Sequence, residues 1–263
     1  MITTLLIALA PAITEAAPSP LAPLALDPTL VAATQDGEEM SEPKWTGSVA
    51  FSAVSTSGNT EQDAFNADAD AELRRDRDRF TLKAYWNYAT DKSTGTKVLT
   101  ARKMGTSLKY DYFLTDDEKA YVYGNTGADY DRLADLDLRY IVGAGGGYQF
   151  YETDDFKLAG EAGLPYVNEE FGASPSSDFI ALRLAANAFK QLGESTSLSS
   201  SAEAYPSLDD TSDVYGKWDT KLNTSLTESM FASLQYVLDF DNTPSTGKER
   251  SDHRIVLSLG WSF

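Results

Sequence analysis

The sequence predicts an all-β fold, a transmembrane antiparallel up-and-down β-barrel of about twelve strands. Three observations support this prediction. Side chains alternate between apolar and polar or small from Trp45 onward, the links between these segments are short and long in rotation, and the chain ends on an alternating segment that closes with Phe263. No stretch holds the ~18 consecutive apolar residues that a membrane-spanning helix needs.

The C-terminal segment shows the clearest alternation, because successive side chains of a strand point to opposite sides. One face holds Ile255, Leu257, Leu259, Trp261 and Phe263, and the other holds Arg254, Val256, Ser258, Gly260 and Ser262. About ten residues suffice for a tilted strand to cross a bilayer core. A last strand ending in Phe resembles the closing strand of bacterial outer-membrane barrels, where it is the assembly signal. An edge strand of a soluble sandwich is the alternative.

Residues 65–73 indicate a wet interior. Their apolar side chains alternate with Asp68, Asp70 and Glu72, which would repel one another in a dry core but are tolerated in a water-filled lumen. A helix is the rival for residues 63–77, but the apolar residues recur at spacing two rather than three or four.

The links between segments favour a barrel over a sandwich. Short turns of about two to five residues fall on the side where both termini lie, and longer loops fall on the other side, as in single-chain outer-membrane barrels. In a β-sandwich, the connections do not alternate regularly between short and long. A closed barrel also leaves no open strand edge in lipid.

Composition narrows the class of function. The 263 residues include 22 Lys and Arg against 40 Asp and Glu, a net charge of -18, so nucleic acid is not expected as a partner. The absence of Cys excludes a disulfide framework and a thiolate metal site. The 14 Tyr, 12 Phe and 4 Trp are enough for aromatic belts at two membrane interfaces.

Three regions are expected along the chain. Residues 1–33 read as a signal peptide, with a short apolar run followed by small residues, although no Lys or Arg precedes the run. Cleavage after Ala16 or after Ala33 would both suit a small-residue rule. Residues 34–44 are expected to form a periplasmic lead-in, and residues 45–263 the outer-membrane barrel.

The inward face of the barrel is predicted to carry both charge signs and several rings. The candidate lumen-lining residues are Asp68, Asp70, Glu72, Lys83, Lys109, Asp111, Arg139, Glu161, Arg183, Lys217, Asp219, Lys221, Asp239 and Arg254. Inward Tyr85, Phe113, Tyr121, Tyr123 and Phe189 would narrow the bore.

Several short motifs lie in residues 47–54 with Ser57, Gly58, Asn59 and Thr60, and then in residues 85–88, 110–114, 143–150 and 259–263. Together they resemble a family of uncharacterised outer-membrane proteins described as salt-induced. The resemblance covers residues 45–263. It implies a barrel of the same kind, a Gram-negative origin and a response to ionic stress, and it carries no catalytic residues.

The sequence does not predict an enzyme or a cofactor. The single histidine, His253 after Asp252, lacks a flanking Gly or Ser motif, and a base needs a nucleophile within hydrogen-bond reach. Asp68, Asp70 and Glu72 are expected to pair with lumen cations such as Lys83, Lys109, Arg139 or Arg183. The glycines of residues 143–147 are interpreted as a bend or a close approach. Asp209, Asp210 and Asp213 match no defined metal site and are expected to be solvated loop acids.

Two functions remain open from the sequence. The first is a narrow passive channel for ions or small solutes, and the second is a plugged structural or envelope-stress barrel whose inward charges pair across the lumen. An outer-membrane hydrolase is a distant third. The expected partners are outer-membrane lipid and lipopolysaccharide, with the barrel-assembly machinery engaging the Phe263 strand. The transported solute is not specified by the sequence.

Overall fold

The structure is a computed structural model that describes residues 44–57, 61–75, 77–92, 95–133, 136–172, 176–208, 214–242 and 250–263. The expected signal peptide, residues 1–33, lies outside the described residues. The expected lead-in lies outside them as well, except for Lys44, which already belongs to the first strand.

The described residues form thirteen strand segments, and the alternating pattern explains each of them. Their bounds are β1 (Lys44–Thr56), β2 (Gln62–Arg75), β3 (Asp78–Asp91), β4 (Val98–Phe113), β5 (Ala120–Asp131), β6 (Leu136–Glu152), β7 (Phe156–Phe171), β8 (Ser177–Ile180), β9 (Arg183–Gln191), β10 (Thr196–Pro206), β11 (Val214–Ser225), β12 (Met230–Asp241) and β13 (Ser251–Ser262).

These segments close into a barrel of twelve antiparallel strands. Each strand pairs with the next one along the chain, and β1 pairs with β13. β8 and β9 are two pieces of one strand, because both pair with β7 on either side of Pro165. The backbone N of Ala181 donates to the Pro165 carbonyl at 3.1 Å, but proline has no N–H to return that bond. The predicted twelve-stranded up-and-down barrel is confirmed.

The outer face of the barrel is apolar and exposed, as the alternation predicts. Leu164 is 56% exposed and Leu257 is 70% exposed, and the other outward rows follow the same pattern. The buried side chains point inward and are largely polar or charged. In the described part of the chain, no helix is long and apolar enough to cross a membrane.

The predicted rotation of short turns and long loops is not strict. The turn at residues 114–119, on the side of the termini, is longer than the loop at residues 132–135 on the opposite side. Thr115 organises this turn, since its Oγ1 accepts hydrogen bonds from the backbone N of Lys119 and Ala120. The Glu118 carbonyl in turn accepts a bond from Gln149 Nε2 at 2.8 Å. The extra residues therefore fold back onto the barrel mouth.

Inward aromatic rings lie against glycines of neighbouring strands. A Cβ at Gly147 would fall 2.3 Å from Cζ of Tyr121, and one at Gly145 would fall 2.7 Å from Cζ of Tyr123. The same arrangement places Phe231 over Gly260. Of the two expected interpretations of residues 143–147, a bend or a close approach, the structure shows a close approach: a ring alone at Gly147, and the backbone of β7 together with a ring at Gly145. Rings that lie flat against the wall narrow the bore less than their size predicts.

We expect a side chain at Gly147 to expel the Tyr121 ring, whereas one at Gly146 is harmless. The Gly146 position faces outward, and its nearest neighbour to an added Cβ is the Tyr121 carbonyl oxygen at 3.6 Å. Gly147→Val should therefore lower the free energy of unfolding by roughly 1–3 kcal/mol, measured by urea denaturation of the refolded barrel. Equal effects of Gly147→Val and Gly146→Val would contradict the ring-on-glycine packing.

Candidate functional site

The barrel interior is divided into a packed side and a polar side. Side chains from β3 to β10 fill the packed side. The polar side is bordered by β11, β12, β13, β2, β3 and β4 and contains a cavity of about 190 Å³.

A chain of ion pairs, which we call the ion network, crosses the packed side. Its members are Arg79, Asp111, Lys109, Glu161, Arg183 and Glu203, three cations and three anions in alternation. Asp111 binds Arg79 Nε and Lys109 Nζ, both at 2.7 Å. Lys109 also contacts Glu161, which accepts from Arg183 Nη1 at 2.7 Å. Arg183 Nη2 then donates to Glu203 at 2.7 Å, so each buried charge has an opposite partner.

Tyrosines complete the ion network. The Tyr121 hydroxyl donates to Glu161 at 2.8 Å, and the Tyr123 hydroxyl accepts from Arg183 at 3.0 Å. The Tyr205 hydroxyl donates to Glu203 at 2.5 Å and accepts from Arg183 Nε at 3.1 Å. Buried ion pairs are stable only when additional hydrogen bonds satisfy their remaining atoms, and these rings supply such bonds.

An apolar cluster closes the packed side towards the long loops. Ile141, Val167, Ala181 and Tyr205 are buried together, with Phe179 packed against them. Beside this cluster Arg139 binds Glu169, with Nη2 at 2.6 Å and Nε at 2.7 Å from the carboxylate. This half of the barrel interior is therefore filled by protein.

The cavity on the polar side is lined by both charge signs. Its charged lining residues are Asp68, Asp70, Lys83, Lys103, Lys217, Asp219, Lys221 and Arg254, accompanied by Asn66, Tyr85, Asn87, Gln235, Val237 and Val256. Five of these side chains are basic and three are acidic. The cavity wall therefore offers cationic and anionic groups in a space too small for a large solute.

Several of the lining charges are held in place by neighbours. Asp70 accepts a bond from the Ser48 hydroxyl at 2.6 Å, and Asp219 accepts one from Gln235 at 2.6 Å. On the loop side of the cavity, the inward-facing Asp239 lies 3.2 Å from Arg254, and Asp131 lies 3.8 Å from Lys103. The cavity wall is thus a set of positioned charges.

Small polar side chains continue the polar side towards the termini. Asn187, Ser197, Ser201 and Asn223 are buried on β9, β10 and β11, and each has a side-chain oxygen without a hydrogen-bond partner among the described protein atoms. Ser233 and Ser258 are buried on the adjoining strands. Buried polar atoms are usually bonded to protein or water, so this row requires hydration.

The structure places the candidate lumen residues in both halves. Lys109, Asp111, Glu161 and Arg183 belong to the ion network, and Arg139 lies beside the apolar cluster. The cavity wall receives Asp68, Asp70, Lys83, Lys217, Asp219, Lys221 and Arg254, whereas Asp239 lies on the loop side of the cavity, 3.2 Å from Arg254. Glu72 lies near Arg79, with which it interacts electrostatically.

The partners of the cations differ from the expected ones. Lys109, Arg139 and Arg183 pair with Glu161, Glu169 and Glu203 of the second half of the chain, rather than with the acids of β2. Asp70 instead lies opposite Lys83 across the β2–β3 pair. The candidate lumen-lining residues omitted Arg79, Lys103, Glu169 and Glu203. Their inward parity would have identified them, because Glu203 continues the alternation of Ser199 and Ser201.

His253 is described by the structure, whereas the loop acids considered for a metal site are not. His253 faces outward at the start of β13, where Nδ1 lies 2.8 Å from the hydroxyl of Tyr236. Asp209, Asp210 and Asp213 lie outside the described residues. Within the described part of the chain, no three His, Cys, Asp or Glu residues are grouped to hold a metal ion.

The closed twelve-stranded barrel with a charged interior is a porin-like fold. The chain belongs to the family described as "Protein of unknown function, DUF481", whose model matches residues 49–263. The NanC porin structure is similar to the chain with a TM-score of 0.51 and 11% identity, over 83% of this chain and 98% of that one. An outer-membrane channel from Pseudomonas putida F1 gives a TM-score of 0.49 and 11% identity, over 87% and 98%. No curated protein matches the chain in sequence.

We expect loss of the Glu161 charge to destabilise the barrel. Lys109 would keep only Asp111 as an anionic partner, and Arg183 would keep only Glu203, in a buried space. Glu161→Gln should lower the free energy of unfolding by on the order of 3 kcal/mol, measured in urea. Glu194→Gln, in the exposed turn before β10, is the matched control and should change it by less than about 0.5 kcal/mol. A neutral effect of Glu161→Gln would show that the ion network does not hold the packed side.

Proposed function

We propose that this chain is an outer-membrane β-barrel of a Gram-negative bacterium and a narrow passive channel for ions or small solutes. The observation that carries the proposal is the divided interior. One side is filled by the ion network and the apolar cluster, while the other holds a charged cavity that continues into a row of buried Ser and Asn side chains with unpartnered oxygens. The solute path follows this polar side.

The size of the polar side supports a narrow channel. Water occupies about 30 Å³ per molecule in the liquid, so the cavity of about 190 Å³ has room for a short file of waters or one small solute. Barrels of about twelve strands stand between small barrels filled by side chains and wide aqueous porins. Filling one side reduces the bore further.

The outer surface supports insertion in a membrane. Outward aromatic pairs form two groups along the barrel axis. Tyr148 and Phe150 lie near the termini, whereas Trp86 with Tyr88 and Trp218 with Tyr236 lie towards the loops. Aromatic side chains favour membrane interfaces, and the exposed apolar rows lie between the two groups. We extend the proposal to contact with lipid and lipopolysaccharide and to assembly through the strand that ends in Phe263.

A second candidate is a structural or envelope-stress barrel without transport. The ion network favours it, because paired charges can close a lumen. Salt induction, which the family resemblance implies, would fit either function. We propose no catalytic role, since the single histidine contacts Tyr236 on the outer face and the charged interior residues bind one another.

Purified protein in a planar bilayer should give discrete conductance steps. An aromatic side chain introduced into the cavity should reduce the size of these steps. Gln235 lines the cavity, so Gln235→Trp should lower the step size severalfold by occupying the path. Leu234 precedes it on β12 and faces outward, so Leu234→Trp is the matched control and should leave the steps unchanged. A silent bilayer, with the barrel shown to be folded by heat-modifiable gel mobility, would contradict the channel and favour the structural candidate.

A further inference from the structure

Most of the charged side chains around the cavity are already bound within the wall. Arg254 pairs with Asp239, and Lys103 pairs with Asp131, so neither cation is free to bind a solute. The other lining charges that have partners are Asp70, Lys83, Asp219 and Lys221. The solute class therefore depends on the charges that remain once these pairs are set aside.

Two lining charges, Asp68 and Lys217, differ from the rest. Within the described part of the chain, neither forms a hydrogen bond or an ion pair with another side chain. Asp239 lies opposite Lys217 in register, but its carboxylate binds Arg254. Tyr85 lies opposite Asp68, but its hydroxyl donates to a different carboxylate at 2.7 Å. We call Asp68 and Lys217 the open charges.

The open charges belong to the two flanks of the cavity. One flank is formed by β2, β3 and β4, and the other by β11, β12 and β13. Asp68 lies on the first flank and Lys217 on the second. The two side chains interact electrostatically, yet they do not form an ion pair. The cavity therefore separates a carboxylate from an ammonium group of opposite sign.

The cavity is the size of a very small molecule. Its volume is about 190 Å³, and water occupies about 30 Å³ per molecule in the liquid, so there is room for roughly six non-hydrogen atoms at that density. A charge held away from bulk water is costly unless it is paired. A solute that pairs with both open charges is therefore favoured over one that pairs with neither.

Ions of a single sign suit this cavity less well. A cation would neutralise Asp68 and add a second positive charge near Lys217, and an anion would do the reverse. The bound charges favour neither sign. When the partners Asp131 and Asp239 are counted with the lining residues, five basic side chains accompany five acidic ones.

We propose that the cavity binds and passes small zwitterions whose ammonium and carboxylate groups are joined through a single carbon. The ammonium group donates to Asp68, and the carboxylate accepts from Lys217. Charge-assisted hydrogen bonds are about 2.8 Å long, so a short zwitterion can bridge two groups that do not touch each other. This inference rests on the proposed channel and names its solute class.

Tracer uptake into proteoliposomes tests the solute class with three molecules of similar size. Glycine carries both charges, ethanolamine has a hydroxyl group in place of the carboxylate, and glycolate has one in place of the ammonium. At pH 7, labelled glycine should enter at least tenfold faster than either analogue, relative to protein-free liposomes, and unlabelled glycine should saturate this uptake. Glycine uptake no faster than that of ethanolamine or of glycolate would overturn the inference.

Variants of the open charges should shift the preference in opposite directions. Asp68→Asn and Lys217→Gln should each slow glycine uptake roughly tenfold, since each removes a charge-assisted contact. Asp68→Asn should also speed glycolate uptake, and Lys217→Gln should speed ethanolamine uptake, whereas misfolding would abolish all three. The matched controls are Asp154→Asn, in the exposed turn after β6, and Lys190→Gln, on the exposed outer face of β9. Cavity variants that behave like these controls would contradict the assigned contacts.

Planar-bilayer recordings separate failure of this inference from failure of the proposed channel. Conductance steps in KCl without a preference for glycine would overturn the zwitterion class and leave the channel in place. Saturable glycine uptake without conductance steps would support the zwitterion class and contradict an ion channel. A silent bilayer with no uptake of any of the three solutes, from a barrel shown to be folded by heat-modifiable gel mobility, would overturn both.

Discussion

Backbone pairing around a closed ring is the constraint on which the rest of this structure depends. A strand in an apolar environment must satisfy its N–H and C=O groups against neighbouring strands. Gly47 and Phe263 complete the ring with two hydrogen bonds, and the Phe263 ring covers the Gly47 position on the outer face. The aromatic end of the chain and the small residue near the start of β1 thus form one structural unit.

When the barrel closes, the polar face of each strand points inward. The inward charged side chains are accommodated in two ways. On the packed side, charges of opposite sign neutralise one another within the ion network and are bonded by tyrosine hydroxyls. On the polar side, charges line a cavity beside small hydroxyl and amide side chains. The channel and plugged-barrel hypotheses each describe one of these sides.

Much of the fold could be predicted because alternation is a local signal. The alternation identified about twelve strands and the outward face of the last one. The division of the interior could not be predicted in this way, because Lys109 and Glu161 meet across two intervening strands. The alternation along each strand predicts that both side chains point inward, but it does not predict which inward side chains are in contact.

Two further features required coordinates for other reasons. The rings of Tyr121 and Tyr123 lie flat because Gly147 and Gly145 occupy the neighbouring strand in matching register, and register between strands is not visible in a single segment. The pairing between β1 and β13, which stops at Phe51, differs from the fuller pairing of the neighbouring strands. The residues beyond the paired part alternate as regularly as those within it, so the pattern of β13 alone gives no sign of this difference.

The long sequence separations inside the ion network set an order for folding. Lys109 and Glu161 are 52 residues apart, and Arg183 and Tyr123 are 60 apart, whereas neighbouring strands can pair as soon as each hairpin forms. Hairpins of the first half therefore carry two cations of the ion network, Arg79 and Lys109, against the single anion Asp111. An uncompensated charge is costly away from water, so a nascent barrel has to keep its concave face wet until the strands bearing Glu161, Arg183 and Glu203 arrive. Drying of the packed side is consequently a late event in folding.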